Sequence, residues 1–85
     1  MPWYVYIIEC RDKKLYTGIT NNLHRRVQEH NGGYGCKYTL LRTPVRLVYS
    51  EQINSRSGAL KREAEIKGFS RLKKLSLVNK SCPSA

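Results

Sequence analysis

Eighty-five residues make one small domain, and a chain of this size buries only about 60% of its surface on folding, so its core must be thin. The 40% of apolar residues suffice for independent folding, no run is long enough to span a membrane, and the composition is not that of a disordered segment. Sixteen lysines and arginines against six acids leave a net charge of +10, which attracts polyanions, with nucleic acid the usual one.

The basic residues are spread along the whole chain, not gathered on one amphipathic helix, which argues against a membrane partner. The apolar start, Trp3-Tyr4-Val5-Tyr6-Ile7-Ile8, has no basic segment before it and no small-residue cleavage site after it. It does not read as a signal peptide, and a cytoplasmic location is expected. Cys10, Cys36 and Cys82 are odd in number, widely spaced and free of any Cys-x-x-Cys pair. They suggest reduced thiols, not a disulfide framework or a zinc site.

Residues 3–10 are rich in β-branched and aromatic types and predict a strand. Arg11-Asp12-Lys13-Lys14 is a polar turn, and Leu15–Ile19 predicts a second strand, so the chain opens with a hairpin. Thr20 or Asn21 is placed to cap a helix starting near Asn22 and ending at the breaker Asn31-Gly32-Gly33. A loop over residues 32–44 ends at Pro44, and Val45–Tyr49 predicts a third strand. Ser55 or Ser57 caps a second helix that runs to about Lys67, with Gly68 at its end. Ser70 opens a third helix containing Leu72, Leu75 and Val78, and residues 81–85 form a frayed tail after a single domain of residues 1–80. The order β-β-α-β-α-α defines an α/β (α+β) domain with a small three-stranded sheet flanked by helices.

Several polar residues fall where the pattern asks for apolar ones. In the first helix Leu23 and Val27 define the inward stripe, Arg26 and His30 lie on its edge as neighbours, and Arg25 points to solvent. Placing an arginine and a histidine beside a core costs desolvation unless they are partnered or functional. In the second helix Ala59, Leu60, Ala64 and Ile66 bracket one face with Glu63 in its middle, while Glu65 is on the polar side. A carboxylate there must be paired or bind a cation; the two readings are a helix pair with Lys67 and an anchor for a hard metal ion. On the first strand Tyr4, Tyr6 and Ile8 share a face, with Tyr16 close to Tyr6 across the turn. Such a pair is packing, or two phenols that hold a water and take its proton near a cation.

Together these residues resemble the GIY-YIG nuclease family. Tyr4-Val5-Tyr6 stands where that family has Gly-Ile-Tyr, and Tyr16-Thr17-Gly18 where it has Tyr-Ile-Gly. Thr20-x-x-Leu23-x-x-Arg26-x-x-x-His30 resembles its helix motif, and Ala59-Leu60-x-x-Glu63 its metal-binding helix. The stretch His30-Asn31-x-Gly33-x-Gly35-x-Lys37-Tyr38-Thr39, followed by Arg42-x-Pro44-Val45, resembles the small stand-alone YhbQ/YazA-like subfamily. The match runs over residues 2–78, and Asn79 is the candidate for the family's late asparagine.

The resemblance implies phosphodiester hydrolysis with one Mg²⁺ or Mn²⁺ ion held by Glu63. Mg²⁺ binds through few carboxylates and keeps several waters, so one protein ligand is chemically acceptable. Tyr6 would be the general base, Tyr16 and His30 would position or share its proton, and Arg26 would clamp a phosphate oxygen. A phenol that ionises near pH 10, about its ordinary value, needs nearby positive charge to act as a base at neutral pH. The loop lacks the Lys-Ser/Thr ending of a P-loop, so no nucleotide cofactor is expected. Lys37, Tyr38, Arg42 and Lys67 are the candidate nucleic-acid contacts, through phosphates and base stacking. DNA is the expected partner, RNA being an open alternative, and single-stranded or branched DNA in repair or processing fits a chain without added specificity domains. The competing reading is a non-catalytic basic nucleic-acid-binding module, which has no need of a carboxylate at Glu63.

Overall fold

The N-terminal run of β-branched and aromatic residues forms strand β1 (Trp3–Glu9), and the chain returns in β2 (Leu15–Thr20). The structure is a computed structural model, and it describes residues 2–34, 39 and 42–81. Asp12 shapes the turn between these strands by accepting the Lys14 N–H at 3.2 Å, and Lys13 adopts a left-handed φ of 72°. Helix α1 spans Leu23–Asn31, strand β3 Arg46–Ile53, helix α2 Arg56–Lys67 and helix α3 Arg71–Ser81. The expected order and three-stranded antiparallel sheet are therefore present, with strand order β2-β1-β3.

The local signals differ from expectation in small ways. The cap of α1 is Asn22, one residue later than predicted, because its side chain accepts the Arg25 N–H at 3.1 Å. Thr20 instead accepts the Asn22 N–H at 3.1 Å and fixes the entry to the helix. Ser55 caps α2, as one of the two serines expected there, and Ser70 accepts the Lys73 N–H at the start of α3. Strand β3 continues four residues past the predicted end at Tyr49, because its partner β1 reaches Trp3, which pairs with Ile53.

Alternation along β1 divides the core in two. Val5 and Ile7 point to one face, where they meet Ala59 and Ile66 of α2 together with Phe69, Leu77 and Val78. Tyr6, Ile8 and Cys10 point to the other, where Leu23 and Val27 of α1 cover them with Val45 and Tyr16. The domain is thus three layers: α1, the sheet, then α2 with α3. A register shift in β3 sets Tyr49 opposite Ile7 and Leu47 opposite Ile8. Such a bulge turns the extra residue, Val48, so that it packs beside its neighbour Tyr49 in the same cluster. Of the apolar residues expected on one face of α2, Ala59 and Ile66 are buried, whereas Leu60 and Ala64 are exposed. The buried stripe is narrower than the sequence pattern implied, and a single sheet face explains why.

The loop after α1 is tied back by Asn31. Its amide clamps one residue in both directions, accepting the Val45 N–H at 2.7 Å and donating to the Val45 carbonyl at 3.1 Å. That pair delivers the chain to β3 and closes the face of the sheet on which α1 sits. Cys10 is a buried free thiol; Cys36 and Cys82 lie outside the described residues.

Candidate active site

Tyr6 leaves the centre of β1 directly opposite Gly18 of β2. Because Gly18 has no side chain, the tyrosine ring lies flat across that position. A Cβ added at Gly18 would stand 2.6 Å from the Tyr6 phenol oxygen and 2.8 Å from Cζ. The glycine of Tyr16-Thr17-Gly18 is there for close approach, which its mere place in a strand did not reveal. Tyr16 pairs with Ile8, two residues from Tyr6 in register, so the phenol rings meet diagonally with centroids 6.5 Å apart.

Helix α1 supplies the next layer. Arg26 Nε–H donates to the Tyr6 oxygen at 3.3 Å, and His30 Nε2 is hydrogen-bonded to the same oxygen at 3.0 Å. His30 also meets the Tyr16 ring edge-on, with centroids 5.4 Å apart. Tyr6 and His30 are fully buried, and Arg26 keeps 26% of its side chain exposed while Arg25 points to solvent with 61%. The spacing predicts His30 at the edge of the inward stripe; it is instead fully buried, against the rings of Tyr6 and Tyr16.

On the far side of the imidazole, His30 Nδ1 is hydrogen-bonded to the buried hydroxyl of Thr39 at 2.8 Å. Thr39 belongs to the loop motif, but nothing in a glycine-rich stretch marks which of its residues meets the imidazole. A hydroxyl both donates and accepts, so Thr39 satisfies Nδ1 whichever imidazole nitrogen carries the proton. The result is a buried chain of groups, Arg26–Tyr6–His30–Thr39, centred on one phenol oxygen.

Electrostatics act on this chain in a definite direction. Burial, reinforced by the Arg26 charge and only partly opposed by Glu29, holds the His30 pKa below its ordinary value of 6.5. Burial also works against the charge of Arg26, but its hydrogen bonds to Tyr6 and Glu29 outweigh this and raise its pKa. The histidine is therefore neutral and the arginine charged at neutral pH, leaving a cation beside the Tyr6 oxygen and a neutral ring able to accept a proton.

A stability prediction follows from the His30 shift. Above about pH 6.5 the histidine is neutral in both folded and unfolded chains. As pH falls below that value the unfolded chain takes up the proton first, so stability declines until the pH passes below the folded pKa. The denaturation midpoint should fall on acidification from pH 7 to 5, and His30→Gln should flatten that segment of the profile in urea titrations. An unchanged slope in the variant would assign the acid sensitivity to other groups.

Glu63 forms its ion pair on α2, outside this hydrogen-bonded chain. It lies on the sheet-facing stripe of α2 between Ala59 and Ile66, and α2 packs against the face of the sheet opposite α1. Its side chain is 18% exposed, and its carboxylate is 3.4 Å from Nζ of Lys67, whose side chain is 52% exposed. The helix pair anticipated from spacing is thus formed. Glu65, as expected, is on the outer side of α2, ion-paired with Arg62. Among the described residues no group of three or more His, Cys, Asp or Glu side chains is gathered as a metal site.

Of the candidate nucleic-acid contacts, Arg42 is ion-paired with Asp12 at 3.0 Å and Lys67 with Glu63. Lys37 and Tyr38 lie outside the described residues, and Asn79 is exposed on α3.

The fold is that of a nuclease-type domain, as its family shows. The sequence model of the GIY-YIG catalytic domain matches residues 2–76, and the chain belongs to the GIY-YIG family. Within it, the chain is similar to proteins named UPF0213. One from Syntrophus aciditrophicus is 58% identical over 79 residues, covering 92% of this chain and 91% of the relative. Another, from Haloquadratum walsbyi, is 58% identical over 74 residues, covering 87% and 83%. The solution NMR structure of a UPF0213 protein from Bacillus halodurans superimposes with a TM-score of 0.63 at 43% identity, over 99% of this chain and 89% of that one. Membership of this family makes nucleic acid the substrate class. No helix among the described residues is long and apolar enough to cross a membrane.

Proposed function

We propose that this chain is a metal-dependent endonuclease of low sequence preference, acting on single-stranded or branched DNA in the cytoplasm, with Tyr6 as the general base. The observation that carries this reading is the Tyr6 oxygen held between Arg26 Nε at 3.3 Å and His30 Nε2 at 3.0 Å in a GIY-YIG chain. A phenol in a merely structural role does not need a guanidinium on its oxygen, and the positive charge there favours the phenolate that base catalysis requires.

In this mechanism the Tyr6 phenol gives its proton to neutral His30, whose opposite nitrogen is held by Thr39. The phenolate, stabilised by Arg26, takes a proton from the attacking water. The water oxygen bonds to phosphorus as the P–O bond to the leaving oxygen breaks, the leaving oxygen takes up a proton while His30 gives its own back to solvent, and no covalent enzyme intermediate forms. Tyr16, whose ring meets those of Tyr6 and His30, keeps the two aligned and limits access of bulk water. Arg26 balances negative charge that accumulates beside the phenol.

Glu63 is the residue that would hold one Mg²⁺ or Mn²⁺ ion. Its carboxylate is a hard oxygen donor that is mostly withdrawn from water, which suits a hard cation, although Lys67 competes for it. The competing Lys67 pair is worth about 0–1 kcal/mol, too little to keep a divalent ion out. When bound, the metal supplies charge neutralisation at the phosphate and at the leaving oxygen.

The deciding experiment incubates the protein with labelled single-stranded, duplex and branched DNA in Mg²⁺ or Mn²⁺, with a chelated control. Cleavage is expected with metal and should stop on chelation. Cleavage undiminished by chelation removes the metal from the mechanism. Salt-sensitive binding with no cleavage of any substrate identifies a binding module instead.

A further inference from the structure

A second charged feature lies apart from the tyrosine cluster, where the β1–β2 turn meets the beginning of α3. Lys14, Leu15, Arg71 and Lys74 line a cleft of about 230 Å³ there. Arg71 is anchored across it, since Nη2 donates to the Lys13 carbonyl at 3.0 Å. Lys74 is half-buried on α3, and the first turn of that helix contains no acidic residue. Cations therefore crowd a helix end whose free N–H groups already make the potential positive, an arrangement that repels itself unless an anion is present.

The protein has no carboxylate side chain left to supply that anion. Glu9 is ion-paired with Arg46, Asp12 with Arg42, Glu29 with Arg25 and Arg26, Glu51 and Glu65 with Arg62, and Glu63 with Lys67. Those are all six acidic residues of the chain. The cleft thus combines three cations from two separated segments with a recess to receive a ligand; Asp12 interacts with Lys14 electrostatically but is ion-paired with Arg42.

From this arrangement we infer that the cleft is a subsite for a backbone phosphate of the nucleic-acid substrate, lying beside the cleavage site. Leu15 opens β2, and Gly18, against which the Tyr6 phenol rests, is three residues further along the same edge strand. At about 3.3 Å per residue the two are about 10 Å apart along the strand, close to three nucleotides at a stacked rise of about 3.4 Å. Leu15 faces the α2–α3 side of the sheet and Gly18 the α1 side, and since β2 is an edge strand a polymer that crosses this edge reaches both. The identity of the polymer rests on the nuclease reading; the anion site does not.

The test is binding of a labelled single-stranded DNA, read by fluorescence anisotropy in chelator across a KCl series. Lys14→Gln/Lys74→Gln is compared with wild type and with Arg56→Gln/Lys61→Gln, which removes the same charge from α2. Circular dichroism melts check that all three remain folded. The cleft variant is expected to lower the slope of log K against log salt by about 1.4, two contacts at about 0.7 each. The α2 variant should change it by less than half as much. Equal loss in both variants, or no loss in the cleft variant, overturns the subsite. Displacement of DNA by poly-glutamate at matched charge would likewise overturn it, by marking the cleft as a dock for acidic peptides. Cleavage by wild type in Mg²⁺ is scored separately. A steeper salt slope owed to the cleft in a protein that never cuts would refute the nuclease reading alone; cutting with an unaltered slope would refute the subsite alone.

Discussion

Tyr6→Phe is expected to leave the fold in place and to slow DNA cleavage by about 10²–10⁴-fold, the range spanned by loss of a positioned general base. The ring stays, so its packing between Ile8, Leu23 and Val27 is kept. Only the oxygen is lost, and with it the bonds to Arg26 and His30. Leaving the buried His30 nitrogen unpartnered costs about 1–3 kcal/mol, so the variant should melt earlier. Turnover therefore has to be compared at a temperature where both proteins are folded. Glu63→Gln provides the matched control on the other side of the sheet. It should also suppress cleavage, and unlike Tyr6→Phe it should abolish the response to Mn²⁺ titration. A Tyr6→Phe protein that cuts within threefold of wild type would remove the phenol from the chemistry and leave it a packing residue.

Gly18→Ala is the second large effect, and it acts through geometry instead of chemistry. The added methyl would stand 2.6 Å from the Tyr6 oxygen and 2.8 Å from Cζ. Neither can yield easily, because the oxygen is tied to two groups of α1 and the ring is buried. Overpacking of this kind costs about 1–3 kcal/mol, and any relief comes from tilting the tyrosine away from His30 and Arg26. A displacement of about 1 Å is enough to reduce catalysis on the order of 10²-fold. The variant should thus lose both stability and activity, measured by urea melts and by single-turnover cleavage. Adding Tyr6→Phe to it relieves the closest contact. The double variant is accordingly expected to be more stable than the sum of the two single changes predicts, a coupling of the kind found between touching residues. Strict additivity in stability would mean that the two positions do not press on each other.

Much of this architecture was written locally. Element type and order follow from short-range signals: β-branched runs for β1 and β3, Asn31-Gly32-Gly33 to stop α1, Ser55 and Gly68 at the ends of α2. The pairing of Arg26 with His30 on one helix edge was legible because a helix repeats every 3.6 residues, and that of Glu63 with Lys67 for the same reason. What sequence could not decide was how far neighbours in space reach across elements. That His30 sits over the Tyr6 oxygen, and that Gly18 is bare so the ring can lie there, depends on the register between β1 and β2. Thr39 enters the cluster through its hydroxyl on His30, a contact that no local signal marks, and Asn31 clamps Val45 at the entry to β3.

The same division holds for charge. Composition alone determines a strongly basic chain of +10, and spacing alone marks Glu63 as a carboxylate on an apolar face. Only the tertiary structure assigns every acid an ion pair and gathers Lys14, Arg71 and Lys74, none of them in those pairs, around one cleft. It also sets α1 and α2, which carry the candidate residues, over opposite faces of the sheet. Periodicity tells which residues share a face of one element, whereas long-range packing alone tells which faces meet.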